Sequence, residues 1–175
     1  MRRLTIILVL LAVLSIVVFV GGLYLTERPA AVDAQGGAVA EEEAEYCSFQ
    51  TTDIDGNNWD DSAFANYKLT MINLWEPWCG PCVAEMPDLQ RLYEEYSDDG
   101  FMLLGMFSME AGVAETIVDT GVTYPMLHYS TDFDSFQTGY VPTTIMVDSN
   151  GVLVGGPYVG INSYEGWAAI IESLL

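Results

Sequence analysis

Two cysteines spaced by Gly80-Pro81 stand between an apolar run and a helical pattern, and this junction narrows the choice of fold more than any other stretch. Upstream, residues 68–75 are nearly continuous in apolar character, as in a strand buried on both faces. Downstream, Met86, Leu89, Leu92, Tyr93 and Tyr96 recur three or four apart, the spacing of one helix face. Cys79 and Cys82 therefore fall at the first turn of a helix. Orphan N–H groups and the positive dipole end stabilise a thiolate there, which makes Cys79 the expected nucleophile and the more exposed sulfur. Cys82, inside the turn, is the expected resolving thiol. Pro81 sits just inside the helix start, where its missing N–H costs nothing.

Taken alone, a Cys-x-x-Cys also fits half of a zinc site or a structural disulfide. Zinc would need two more ligands, and Cys47 and His128 are the only other soft donors. No metal site is expected.

Trp78-Cys79-Gly80-Pro81-Cys82 after an apolar strand resembles the active site of the thioredoxin superfamily. Pro87 matches that superfamily's kink in the active-site helix, and Val141-Pro142-Thr143 matches its cis-proline loop. Glu85, within Cys82-Val83-Ala84-Glu85-Met86-Pro87, resembles the continuation found in membrane-tethered TlpA/ResA-like thiol–disulfide oxidoreductases. The resemblance runs from residue 49 to 175. It implies a thioredoxin-like α/β fold, a mixed sheet flanked by helices, with an N-terminal β-hairpin and a central helical insertion.

The resemblance also implies thiol–disulfide exchange through Cys79 and Cys82, with no cofactor beyond their redox-active disulfide. Gly-Pro between the cysteines resembles reducing thioredoxins, so a disulfide reductase is expected, with an oxidase or isomerase, or a non-catalytic ectodomain, as the alternatives. Trp78, Gly80, Pro81, Val141 and Pro142 are the implied substrate-binding positions; a cis Pro142 would leave the Val141 backbone free to pair with an extended substrate segment. Many cytosolic-type thioredoxins carry a buried Asp where Asn73 stands. Glu85 is the implied catalytic replacement, though a first-turn Glu also simply complements a helix dipole. Implied partners are protein disulfide substrates, among them apocytochrome c, methionine sulfoxide reductases or misoxidised secreted proteins, and a membrane electron donor of the CcdA/DsbD type. The peroxiredoxin pattern, a peroxidatic cysteine preceded by Pro and Thr, is missing.

Residues 1–25 open with Arg2-Arg3 and continue as an apolar run long enough to cross a ~30 Å hydrocarbon core. They are read as a single-pass anchor with its start in the cytoplasm, which places the redox domain outside. A cleaved signal is the alternative. Residues 26–45, rich in Ala, Gly and Glu, read as an acidic flexible tether, and residues 46–175 as the thioredoxin-like domain. The net charge of −20 argues against nucleic acid and anionic headgroups.

Further along, residues 46–57 suggest an opening hairpin, and Asp61 or Ser62 a cap for a short helix over 63–67. Glu76 would raise the Cys79 pKa if it pointed at the sulfur. A second buried strand is expected over 101–107, a helix over 111–120 capped by Gly121, and an edge strand over 124–129. A short helix or turn over 134–140 follows, then a strand from 141 to 148. Asn150-Gly151 turns the chain into a returning strand over 152–154, and an amphipathic helix closes it over 164–175.

Overall fold

The computed structural model describes residues 44–175. The anchor expected over 1–25, and the tether expected over 26–45 up to residue 43, lie outside the described residues. Among the described residues no helix is long and apolar enough to cross a membrane.

Strand β3 (Leu69–Leu74) is buried at every position, as its unbroken apolar run requires. It is the centre of a five-stranded sheet. On one side β4 (Phe101–Phe107) pairs with it in parallel, and β5 (Met126–His128) pairs with β4 in parallel at the edge. On the other side β6 (Thr143–Asp148) and β7 (Leu153–Val159) continue the sheet antiparallel. The crossover from β3 to β4 is helix α1 (Gly80–Tyr96). Helix α2 (Val113–Thr120) is the insertion between β4 and β5, and α3 (Tyr164–Leu174) closes the chain. A two-stranded hairpin, β1 (Gln50–Thr52) with β2 (Asn58–Asp60), precedes the sheet. Backbone bonds tie it to the sheet edge, where the Ile54 N–H donates to the Met126 carbonyl. The expected mixed sheet, opening hairpin and helical insertion are all present.

The period-2 alternation of the strands divides the core into two layers. Leu69, Met71 and Trp75 with Phe101, Leu103 and Phe107 face α1 and α3, where Met86, Leu89, Leu92, Trp167 and Ile171 meet them. Ile72 and Leu74 with Met102, Leu104 and Met106 face an aromatic layer of Phe49, Phe64, Phe133 and Phe136. Fixed between these layers, β3 sets where its C-terminal end delivers the chain.

Four of the boundaries that differ from the sequence expectation have a clear local reason. The cap of the short 3₁₀ helix Asp61–Asn66 is Asp60, whose carboxylate accepts the Ser62 N–H, rather than Asp61 or Ser62. Helix α2 starts at Val113 because Gly112 is left-handed, with φ +96°. The helix expected over 134–140 lies at Thr131–Phe136, capped by Ser130. Strand β7 runs on to Val159 through Gly155-Gly156-Pro157, which reads as a breaker but forms a bulge against Thr144 and Met146.

Gly156 is required at that bulge. Its φ is +96°, and a Cβ there would lie 2.6 Å from the Thr144 carbonyl oxygen and 3.1 Å from the Ile145 Cα, both fixed backbone. Gly156→Ala should therefore lower stability to urea by about 2 kcal/mol or more. An unchanged denaturation midpoint would show that the bulge relaxes.

Candidate active site

Cys79 is the N-cap of α1, reached from the last pairing of β3 at Leu74 through the four residues Trp75-Glu76-Pro77-Trp78. Its backbone is extended (φ −85°, ψ 97°), so its side chain folds back over the first helical turn. The Cys82 N–H donates to the Cys79 Sγ at 3.2 Å, a direct contact between an orphan helix donor and the sulfur. Pro81 occupies the first turn and Pro87 lies within a helix that continues to Tyr96. Cys79 and Cys82 form a disulfide with Cα atoms 5.3 Å apart. Cys79 is the more exposed, as expected, but only at 5% against 2%, so both sulfurs are buried in the oxidised state.

Of the expected flanking residues, Val141 reaches this sulfur directly. The Val141–Pro142 peptide is cis, and the Val141 carbonyl oxygen lies 3.6 Å from the Cys79 Sγ. Among the described residues Val141 makes no backbone hydrogen bond, whereas the Pro142 carbonyl accepts the Gly160 N–H. Trp78 stands 65% exposed beside the pair, while Trp75 is core. A cleft of ≈370 Å³ opens along this rim between Trp78, Tyr129, Tyr140 and Val141, with Glu76 and Ser108 further in.

Glu76 does not point at the sulfur. Its carboxylate accepts the Ser108 N–H at 3.0 Å, the Ser108 hydroxyl, and the Met109 N–H at 3.1 Å. It thereby ties the loop after β4 to the loop that carries Cys79, and three donors offset its charge. No sequence signal pointed to this role, because the partners lie 32 and 33 residues away.

Glu85 lies one turn beyond Cys82 on the buried face of α1 and is 4% exposed. One carboxylate oxygen accepts the Asn162 N–H at 2.8 Å and the Trp167 Nε1–H at 2.7 Å; the other has no partner among the described residues. Burial pushes its carboxyl above the ordinary 4.5, against the downward pull of those two bonds. A buried carboxyl held above its ordinary range can take up a proton more readily than an exposed one, which suits proton exchange with a resolving thiol. The family's buried Asp has no counterpart in charge, since Asn73 is buried and donates to the Thr144 hydroxyl at 3.0 Å. His128 is engaged elsewhere, packed on Phe107 with its Nδ1 3.4 Å from the Glu110 carboxylate. The Cys47 thiol is free and buried, its pKa pushed up to about 12, first by burial and then by Asp61, Asp132 and Glu45.

A sequence profile described as AhpC/TSA family matches residues 43–155, both cysteines included. The chain belongs to the AhpC/TSA family. The relatives that match include several named thiol–disulfide oxidoreductase ResA. The protein of Oceanobacillus iheyensis is 32% identical over 114 residues, which take in 63% of this chain and 54% of that protein. That of Geobacillus kaustophilus is 29% identical over 153 residues, 85% of this chain and 81% of the relative. Among solved structures, a thioredoxin-family thiol:disulfide interchange protein from Chlorobium tepidum superposes with a TM-score of 0.67 at 24% identity, covering 77% of this chain and 99% of that one. StoA from Bacillus subtilis superposes at 0.59 with 20% identity, covering 72% and 97%. The fold is thioredoxin-like, and the ResA-like resemblance read from Glu85 and its neighbours holds.

Glu85 supplies a pH test. Its native pKa is raised above the unfolded value, so the folded state binds the extra proton. The resulting stability is fully present below about pH 4.5 and is lost as pH rises through the native pKa. Glu85→Gln keeps an acceptor for Asn162 and Trp167 and removes that loss. The variant should melt higher than the parent at about pH 8 and level with it at about pH 4. A gap that does not change with pH would contradict a raised carboxyl.

Proposed function

We propose that the protein is an extracytoplasmic thiol–disulfide oxidoreductase that reduces disulfides in secreted or membrane-associated proteins. The carrying observation is that Cys79, capped by the Cys82 N–H, shares its rim with exposed Trp78 and the unpaired Val141 backbone. A sulfur stabilised as thiolate sits beside a stretch of main chain that an extended peptide can pair with.

In the reduced enzyme the Cys79 thiolate attacks one sulfur of the substrate disulfide. A mixed disulfide forms, and the other substrate sulfur leaves as a thiolate that takes a proton from water. Cys82 gives its proton to the Glu85 carboxylate and attacks the Cys79 sulfur. The second substrate thiolate is released, and Cys79–Cys82 is left oxidised. Two electrons have passed to the substrate. A membrane dithiol partner of the CcdA/DsbD type returns them by the reverse exchange. The Gly80-Pro81 spacer supports the reducing direction, and the apolar run at 4–25 behind Arg2-Arg3 supports an anchor with the domain outside.

The test is covalent capture. Cys82→Ser should accumulate mixed disulfides on Cys79, visible as shifted bands without reductant and identifiable by mass spectrometry. Cys79→Ser should capture little. Equal capture by both variants, or adducts on Cys47, would contradict the assignment. Insulin reduction with dithiothreitol no faster than for Cys79→Ser would point to a structural disulfide instead.

A further inference from the structure

Disulfide exchange accounts for the sulfur pair, but not for the chemistry of the cleft beside it. Four aromatic residues line it: Trp78 and Tyr140, 65% and 72% exposed, the half-buried Tyr129 and the buried Trp75. Glu76 also lines it, and among the described residues no Lys, Arg or His contributes to the lining. The Glu76 Oε2 accepts only the Met109 N–H and keeps a further acceptor position. The Tyr129 hydroxyl donates to the Asp134 carboxylate at 2.6 Å, outside the lining, which fixes that ring in the wall. Ring faces carry negative quadrupole potential, so aromatic walls with a carboxylate behind them make a seat for a cation.

The long-range field has the same sign. Residues 33–175 hold 24 acidic side chains against two basic ones. Neither basic group reaches the cleft: Arg91 lies over the Tyr164 ring and beside Asp88, and Lys68 precedes the opposite end of β3.

We propose that the cleft receives a basic side chain, arginine or lysine, that neighbours the target cysteine in the substrate protein. The inference rests on the oxidoreductase reading above and names the substrate class for that same site. The methylene stem of such a side chain packs on the rings, and its charged end reaches the Glu76 oxygen. An acidic side chain would be desolvated against Glu76 without a counter-ion. An apolar one would cover the carboxylate and return nothing to it.

The test uses three short peptides, identical except for Arg, Leu or Glu next to a cysteine held in a mixed disulfide with a chromogenic thiol. The reduced full-length chain is mixed with each, and every rate is divided by that of dithiothreitol with the same peptide to remove intrinsic reactivity. Measurements at about 1 M salt, where screening acts within about 3 Å, isolate the cleft from the surface field. The arginine peptide should react about tenfold faster than the leucine peptide, with the glutamate peptide slowest. Glu76→Gln and, separately, Tyr140→Ala should each compress that ratio toward one. Tyr140 is exposed, so its truncation leaves the core untouched. Equal normalised rates for the three peptides, or a ratio that both variants leave intact, would overturn the basic-residue proposal alone. No reduction of any peptide would overturn the oxidoreductase reading and this inference with it.

Discussion

The site depends on one contact, the N–H of Cys82 donated to the sulfur of Cys79 at the start of α1. It exists because β3 is held between two apolar layers and ends where the helix must begin. The molecule around it opposes a thiolate, since the net charge is −20. Magnitudes decide between the two. Half a unit charge about 4 Å away in an effective dielectric of about 20 contributes about 2 kcal/mol, or about 1.5 pH units. A surface carboxylate about 15 Å away, in water and screened over about 8 Å, contributes under about 0.1 kcal/mol. Even twenty such groups do not cancel the local donor.

Two carboxylates come close enough to matter, and the fold treats them differently. Glu76 is surrounded by donors from the loop after β4, which turns its charge away from the sulfur and fixes the loop. Glu85 is half satisfied: Trp167 and Asn162 hold one oxygen while the other is buried without a partner among the described residues. Glu76 has donors on both oxygens and so holds a loop in place, whereas Glu85 keeps one buried oxygen without a partner and remains able to take a proton. The same residue type thus serves two ends, set by how many donors each finds.

The parts of this arrangement legible in the sequence were those written locally. Apolar runs marked β3 and β4, three- and four-residue spacing marked α1 and α3, and the Cys-Gly-Pro-Cys junction with Pro142 marked the site. What escaped was set by distant partners. Nothing near Glu76 foretold Ser108 and Met109, and nothing near Glu85 foretold Trp167, 82 residues on. Local signals also misled where backbone geometry overrode composition. Gly155-Gly156-Pro157 reads as the end of a strand, yet the left-handed Gly156 lets β7 bulge and continue to Val159.

The central claim is that the helix start makes Cys79 the thiolate of the pair. Ultraviolet titration of reduced Cys82→Ser and Cys79→Ser chains, each carrying Cys47→Ala to silence the buried thiol, measures it directly. The account predicts a Cys79 pKa clearly below the ordinary value of about 8.5 and below that of Cys82. A Cys82 pKa lower than that of Cys79, or a Cys79 pKa at or above the ordinary value, would contradict it.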